Sequence, residues 1–128
     1  MSELTDPNDI HSKEGRLALT KMVMKLFTLW QLPTADQAIL LNRSPRTLRR
    51  YRSGGCYADD KDMLERVCYL LSIHKYLGML YPYNRDLVYR WVSAQSPAFE
   101  GKMPIEVMKK GVDGIKMIDH YLGYQLYS

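Results

Sequence analysis

Apolar residues recur every three or four positions along most of the chain, which is the spacing of one face of an α-helix. No stretch shows the strict alternation of apolar and polar residues that predicts a β-strand. The pattern therefore predicts an all-α fold. We expect helices over about 12–32, 34–41, 45–52, 60–80, 84–93, 104–110 and 112–126.

The helix starts are predicted by capping residues. Ser12, Thr34 and Ser44 each precede or open an apolar pattern, and their hydroxyls can accept a hydrogen bond from the backbone of the first turn. Pro45 directly after Ser44 strengthens that start, since proline favours the first helical position. Residues 94–102 are predicted to form a loop.

The apolar positions also predict the core. We expect the methionines on the helices, including Met22, Met79 and Met117, to fill core gaps, and Trp91 to pack on Phe99. The remaining predicted core residues are Leu17, Leu19, Val23, Leu26, Phe27, Leu29, Trp30, Leu64, Val67, Cys68, Leu71, Leu77, Leu87, Val88, Ile115, Ile118, Tyr121 and Leu122.

The excess positive charge lies in one segment. Residues 34–58 contain five arginines and a single acidic residue, Asp36, which accounts for the whole net charge of +4; the remaining residues balance. A basic cluster in an otherwise neutral chain is typical of binding to an anionic partner. A solvated arginine face is the alternative that charge leaves open.

The same segment has the spacing of a helix-turn-helix. Ala38 is small enough for two helices to cross there, Asn42 tolerates a left-handed turn, and Leu48 points inward from the second helix. Tyr51 is expected to close the far end. The arrangement predicts a DNA-binding motif whose second helix enters the major groove.

Individual roles follow from the position of each residue on that second helix. Arg46 and Arg50 are the candidates for base contacts, because arginine donates two hydrogen bonds to guanine. Arg43 and Arg52 are the candidates for phosphate contacts. The full predicted DNA-binding set is Arg43, Ser44, Arg46, Thr47, Arg49, Arg50 and Arg52.

Catalytic, metal and cofactor sites are not indicated. His11, His74 and His120 lie far apart, the two cysteines do not form a CxxC motif, and no glycine-rich phosphate loop is present. No secretory signal or membrane-spanning run is indicated. We therefore expect a non-enzymatic cytoplasmic protein without metal or cofactor.

The C-terminal part carries a denser pattern: Trp91, the segment SPAFEGKMPIEVM at 96–108, GVDG at 111–114 and the pair Tyr121–Leu122. It resembles the toxin-binding domain of the Xre/MbcA/ParS antitoxins, which carry an Xre-like helix-turn-helix upstream. The chain departs from that pattern at Ser96 for asparagine, Glu100 for glycine and Met103 for threonine.

The resemblance implies an antitoxin that neutralises a RES-domain, NAD-consuming toxin, dimerises and represses its own operon. The last helix and its tail, 111–128, are then the expected blocking element, because exposed aromatic residues are common anchors at interfaces. A homodimer through the first and fourth helices is expected. The predicted toxin-binding residues are His120, Tyr121, Tyr124, Leu126 and Tyr127.

These features divide the chain into a flexible arm (1–11), a helix-turn-helix module (12–58), a connecting and dimerising helix (59–82) and a toxin-binding domain (83–128). Two other functions stay open at this point. One is a stand-alone dimeric transcriptional repressor, and the other is a protein-binding adaptor that has lost DNA binding.

Overall fold

Seven α-helices make up most of the computed structural model, which describes residues 9–128. Within that range no strand is present, so the predicted all-α fold is confirmed. The helices are α1 Lys13–Leu29, α2 Thr34–Leu41, α3 Pro45–Arg52, α4 Lys61–Leu80, α5 Arg85–Arg90, α6 Pro104–Met108 and α7 Val112–Tyr127. Most of the predicted N-terminal arm lies outside the described residues.

The predicted loop before α6 contains a short 3-10 turn, Pro97–Phe99. The helix predicted over 84–93 is α-helical only as far as Arg90 and continues as a 3-10 turn over Trp91–Ser93.

Two of the predicted helix caps are confirmed and one is wrong. The hydroxyls of Ser12 and Ser44 accept hydrogen bonds from the backbone N–H three residues later, at 2.9 and 3.1 Å. Thr34 instead is the first residue of α2, and Pro33 occupies the cap position without a side-chain hydrogen bond. The Thr34 hydroxyl accepts a hydrogen bond from Arg52.

Helix α4 is the central element of the fold. It packs against α1 and α2 of the N-terminal part and along α7 of the C-terminal part. Its buried residues Met63, Val67, Leu70, Ile73 and Leu77 repeat every three or four positions and form one face. One continuous core therefore joins the helix-turn-helix part to the C-terminal part.

Several residues that the sequence placed in the core are exposed. Cys68 is exposed because it follows Val67 by one position, which rotates it about 100° away from the buried face of α4. Met22, Met79 and Met117 are also exposed, on α1, α4 and α7. These helices therefore carry more apolar residues than the core of one chain buries.

Helices α6 and α7 pack backbone against backbone. Gly114 lies so close to α6 that an added Cβ would be 2.0 Å from the Val107 carbonyl oxygen. Gly111, at a φ of 134°, makes the turn between the two helices possible. The position of α7 is therefore fixed by α6.

Candidate functional site

The helix-turn-helix has the geometry that its sequence predicts. Asn42 adopts the left-handed conformation, with φ 54° and ψ 49°, between α2 and α3. Leu41 and Leu48 are buried on the inner side, and Tyr51 is buried at the far end. Ala38, at the crossing of the helices, is partly buried against the core.

Helix α3 presents polar and basic groups to solvent along its length. Arg46, Arg49 and Arg50 are exposed. Arg50 lies against the Tyr51 ring, with 5.6 Å between the guanidinium carbon and the ring centroid. Arg46 and Arg49 form no ion pair with any residue that the structure describes. Their charge is thus open to an external anion.

Ser44 and Thr47 form the leading end of α3. The Ser44 hydroxyl caps the helix by accepting from the Thr47 backbone N–H, and the two side-chain oxygens lie 3.1 Å apart. This pair fixes the direction in which the helix begins. Both residues lie at the end of α3 that a helix-turn-helix inserts into the major groove.

The flanking arginines already have partners within the fold. Arg43 forms an ion pair with Asp60 at 2.6 Å, and this contact holds the pKa of the Asp60 carboxyl below its usual value. Arg52 donates to the Gln37 side-chain oxygen at 2.9 Å and to Thr34 at 3.2 Å. Both residues therefore also stabilise the motif.

A second exposed surface runs along α7. Met117, His120, Tyr124 and Tyr127 are spaced by three, four and three positions, so they share one face of the helix. Met117 is 58% exposed, and Tyr124 and Tyr127 are 71% and 76% exposed. We call these four residues the α7 stripe.

The other two predicted toxin-binding residues are partly buried. Tyr121 packs against both Trp91 and Phe99, with its ring centroid 6.4 Å from the first and 5.0 Å from the second. Trp91 and Phe99 are themselves 6.3 Å apart, so their predicted contact is confirmed. Leu126 is half-buried on the final turn. Tyr121 thus ties α7 to the loop before α6.

A groove of about 410 Å³ opens beside the α7 stripe. Phe99 and Lys102 of the loop, Val107 and Lys110 near α6, and Met117 are among the residues that line it. Glu100 at its edge has a φ of 59°, the left-handed region that favours glycine. Because Met117 borders both, the groove and the stripe form one surface.

The sequence reasoning missed Met117 and the groove. Met117 was assigned to the core, although its spacing from His120 and Tyr124 puts it on the predicted exposed face. The groove could not be found from sequence, since it depends on how the loop folds against α7.

Two family models match the chain. The model of the antitoxin Xre-like helix-turn-helix domain matches residues 9–55. The model of the antitoxin Xre/MbcA/ParS C-terminal toxin-binding domain matches residues 77–127. No curated protein matches the chain significantly. Among the described helices, none has the length and apolar character needed to cross a membrane.

Proposed function

Because the chain belongs to the Xre/MbcA/ParS antitoxins, we propose that it neutralises a RES-type, NAD-consuming toxin and represses its own operon. The observation that carries this proposal is the presence of two exposed surfaces of different chemistry on different helices. The arginine face of α3 suits a polyanion, and the α7 stripe suits a protein. In this role the chain is a cytoplasmic regulator, not an enzyme.

DNA recognition is assigned to the exposed end of α3. Arg46 and Arg50 contact bases, and Ser44, Thr47 and Arg49 support them at the groove edge. Arg43 and Arg52 contact phosphates through the N–H groups that their internal partners leave free. Support comes from the exposure of the three central arginines next to a rigidly capped helix start.

Gel-shift titration on the region upstream of the gene tests this assignment. Arg46→Ala and Arg50→Ala should each weaken specific binding by about 1–3 kcal/mol, while Arg52→Ala should weaken specific and non-specific binding alike. Unchanged binding by the Arg46→Ala/Arg50→Ala double variant would reject α3 as the reading helix.

Toxin neutralisation is assigned to α7. The stripe ends in Tyr124 and Tyr127, whose rings have little contact with their own chain. Burying such a group against a partner contributes roughly 1.5–3 kcal/mol. The groove beside Met117 extends the contact surface.

Co-expression with the product of the neighbouring reading frame tests the toxin role. Deleting residues 124–128 should reduce cell survival and leave the gel shift nearly unchanged, because the deletion removes none of the buried core. Full protection of the cells by the shortened chain would indicate that the groove and the loop before α6 block the toxin, and not the tail of α7. A neighbour that is not toxic would favour the stand-alone repressor instead.

A homodimer is the expected DNA-binding form, since two-fold operators are read by two-fold proteins. The proposed interface is the face shared by α1 and α4, where Met22 and Cys68 are exposed and Leu29, Leu64 and Leu71 are only partly covered. Met22, Leu29 and Leu71 line one shallow depression, and Leu64 and Cys68 line a second one on α4. Helix α4 thus contributes to the core with one face and to the dimer with another.

Light scattering and thiol cross-linking test the dimer. If Cys68 lies near the two-fold axis, a short bis-maleimide should link two copies of the chain, whereas Cys68→Ser should prevent linkage and Cys56→Ser should not. Although Cys68 is exposed, desolvation by neighbouring groups raises the pKa of its thiol, so the reaction should be faster in alkaline buffer. A monomer by light scattering, with and without DNA, would refute this proposal.

A further inference from the structure

An ion pair joins the C-terminal part of the chain to the helix-turn-helix. The Lys109 ammonium lies 2.8 Å from a carboxylate oxygen of Asp36. Lys109 caps the C-terminal end of α6, and Asp36 is in the first turn of α2. Their side chains are 35% and 22% exposed, so the pair is partly shielded from solvent.

Two more charged contacts hold the other end of α2, and both come from α4 and its cap. The buried Arg66 donates to the Leu40 carbonyl at 3.1 Å. Asp60 pairs with Arg43 at 2.6 Å. Charged groups from other elements therefore contact α2 in its first turn, at Asp36, and near its end, at Leu40, and contact Arg43 just after its turn.

Helix α6 in turn is firmly connected to α7 and the groove. Gly114 of α7 touches the Val107 backbone, and Val107 and Lys110 both line the groove. Lys109 lies between these two residues. Displacement of α6 by a partner in the groove would therefore act on the Lys109–Asp36 contact.

We propose that Lys109 is a positioning residue for DNA binding: from the toxin-binding part, it sets the orientation of α2 and thereby of the recognition helix α3. In a helix-turn-helix the first helix crosses the DNA backbone while the second reads bases, so a tilt of α2 misplaces both. The inference rests on the DNA-binding role proposed above. By linkage, a partner that separates Lys109 from Asp36 weakens DNA binding.

Direct phosphate contact by Lys109 is the competing explanation, and salt dependence separates the two. Loss of a phosphate contact lowers the slope of log affinity against log salt by about one. Loss of a positioning contact lowers specific affinity without changing that slope, since the number of neutralised phosphates is the same. Replacing Asp36, the partner of Lys109, should also weaken DNA binding only if Lys109 is a positioning residue, because a direct phosphate contact does not depend on Asp36.

The experiment compares Lys109→Gln, Asp36→Asn and the double variant, all in the full chain. The probe is the duplex from upstream of the gene, titrated by fluorescence anisotropy at several salt concentrations. Arg90→Gln is the control for loss of one positive charge, because Arg90 forms an ion pair with Asp86 at 2.6 Å within α5, away from the helix-turn-helix and from the proposed dimer face. Thermal unfolding of each variant confirms that it is folded.

The expected result for Lys109→Gln is a roughly two- to five-fold loss of specific affinity with an unchanged salt slope. The double variant should lose no more than the stronger single variant, and Arg90→Gln should bind like the unmodified chain. Equal affinity for Lys109→Gln, additive losses or a lower salt slope would overturn the inference. Failure of the unmodified chain to bind the duplex would refute the DNA-binding function as well.

Discussion

Replacing Gly114 by alanine tests the contact between α6 and α7, which shapes the proposed toxin surface. The new methyl carbon would lie 2.0 Å from the Val107 carbonyl oxygen, 3.0 Å from its carbonyl carbon and 3.5 Å from the Met108 Cα. All three are backbone atoms, so no side-chain rotation relieves the overlap. The helices must move apart by about 1 Å or more, which loosens the packing of Ile115.

The magnitude follows from two opposing effects. Overpacking of this kind costs typically 1–3 kcal/mol, and the rigid backbone partner puts this site at the upper end of that range. Alanine regains up to about 1 kcal/mol of helix propensity. The free energy of unfolding should therefore fall by about 2 kcal/mol.

Urea unfolding followed by circular dichroism measures this change. Gly78→Ala on α4 is the matched control, because an added Cβ there meets nothing within 4 Å. That variant should gain about 0.5–1 kcal/mol from helix propensity. Equal or greater stability of Gly114→Ala would refute the backbone contact between α6 and α7. It would also refute the argument that a partner in the groove acts on Lys109 by displacing α6.

Three further substitutions have defined outcomes. Glu100→Gly should raise the free energy of unfolding by about 0.5–1 kcal/mol, because glycine relieves the left-handed strain; a decrease would refute that strain. In urea unfolding, Tyr57→Phe should leave the free energy of unfolding unchanged or slightly higher. The reason is that the buried Tyr57 hydroxyl has no hydrogen-bond partner among the described residues, and burial raises its pKa to about 12. A hydrogen bond to Asp59 raises the pKa of His11 above its ordinary value of 6.5. The contact therefore stabilises the fold fully below pH 6.5, and this stabilisation is lost as the pH rises through the raised pKa of His11. In an NMR titration, Asp59→Asn should lower the pKa of His11, and an unchanged pKa would contradict the pairing.

The sequence was sufficient for the helices and for the helix-turn-helix because both depend on local rules. Ser44 and Asn42 act through their own backbone, and their geometry is determined by residues within four positions. Periodicity also placed Val67 and Leu77 in the core correctly. It failed at Cys68 and Met117, because the width of a buried face depends on which helices pack against it.

The functional surfaces were only partly predictable. The aromatic character of the last helix identified Tyr124 and Tyr127 as candidate contacts, and both are exposed. The partners of Asp36 and Arg43 were not predictable, since Lys109 and Asp60 come close to them only in the folded chain. Such contacts leave no periodic signal in one sequence.

Inhibition of the neighbouring gene product is the most direct test of the antitoxin role. Its NAD consumption is measured while the purified chain, Tyr124→Ala/Tyr127→Ala or Arg46→Ala/Arg50→Ala is titrated in. The account predicts full inhibition by the unmodified chain and the arginine variant, and inhibition at least about 10-fold weaker by the tyrosine variant, from the burial of two rings. Undiminished NAD consumption with the unmodified chain, or loss of inhibition in the arginine variant alone, would contradict it.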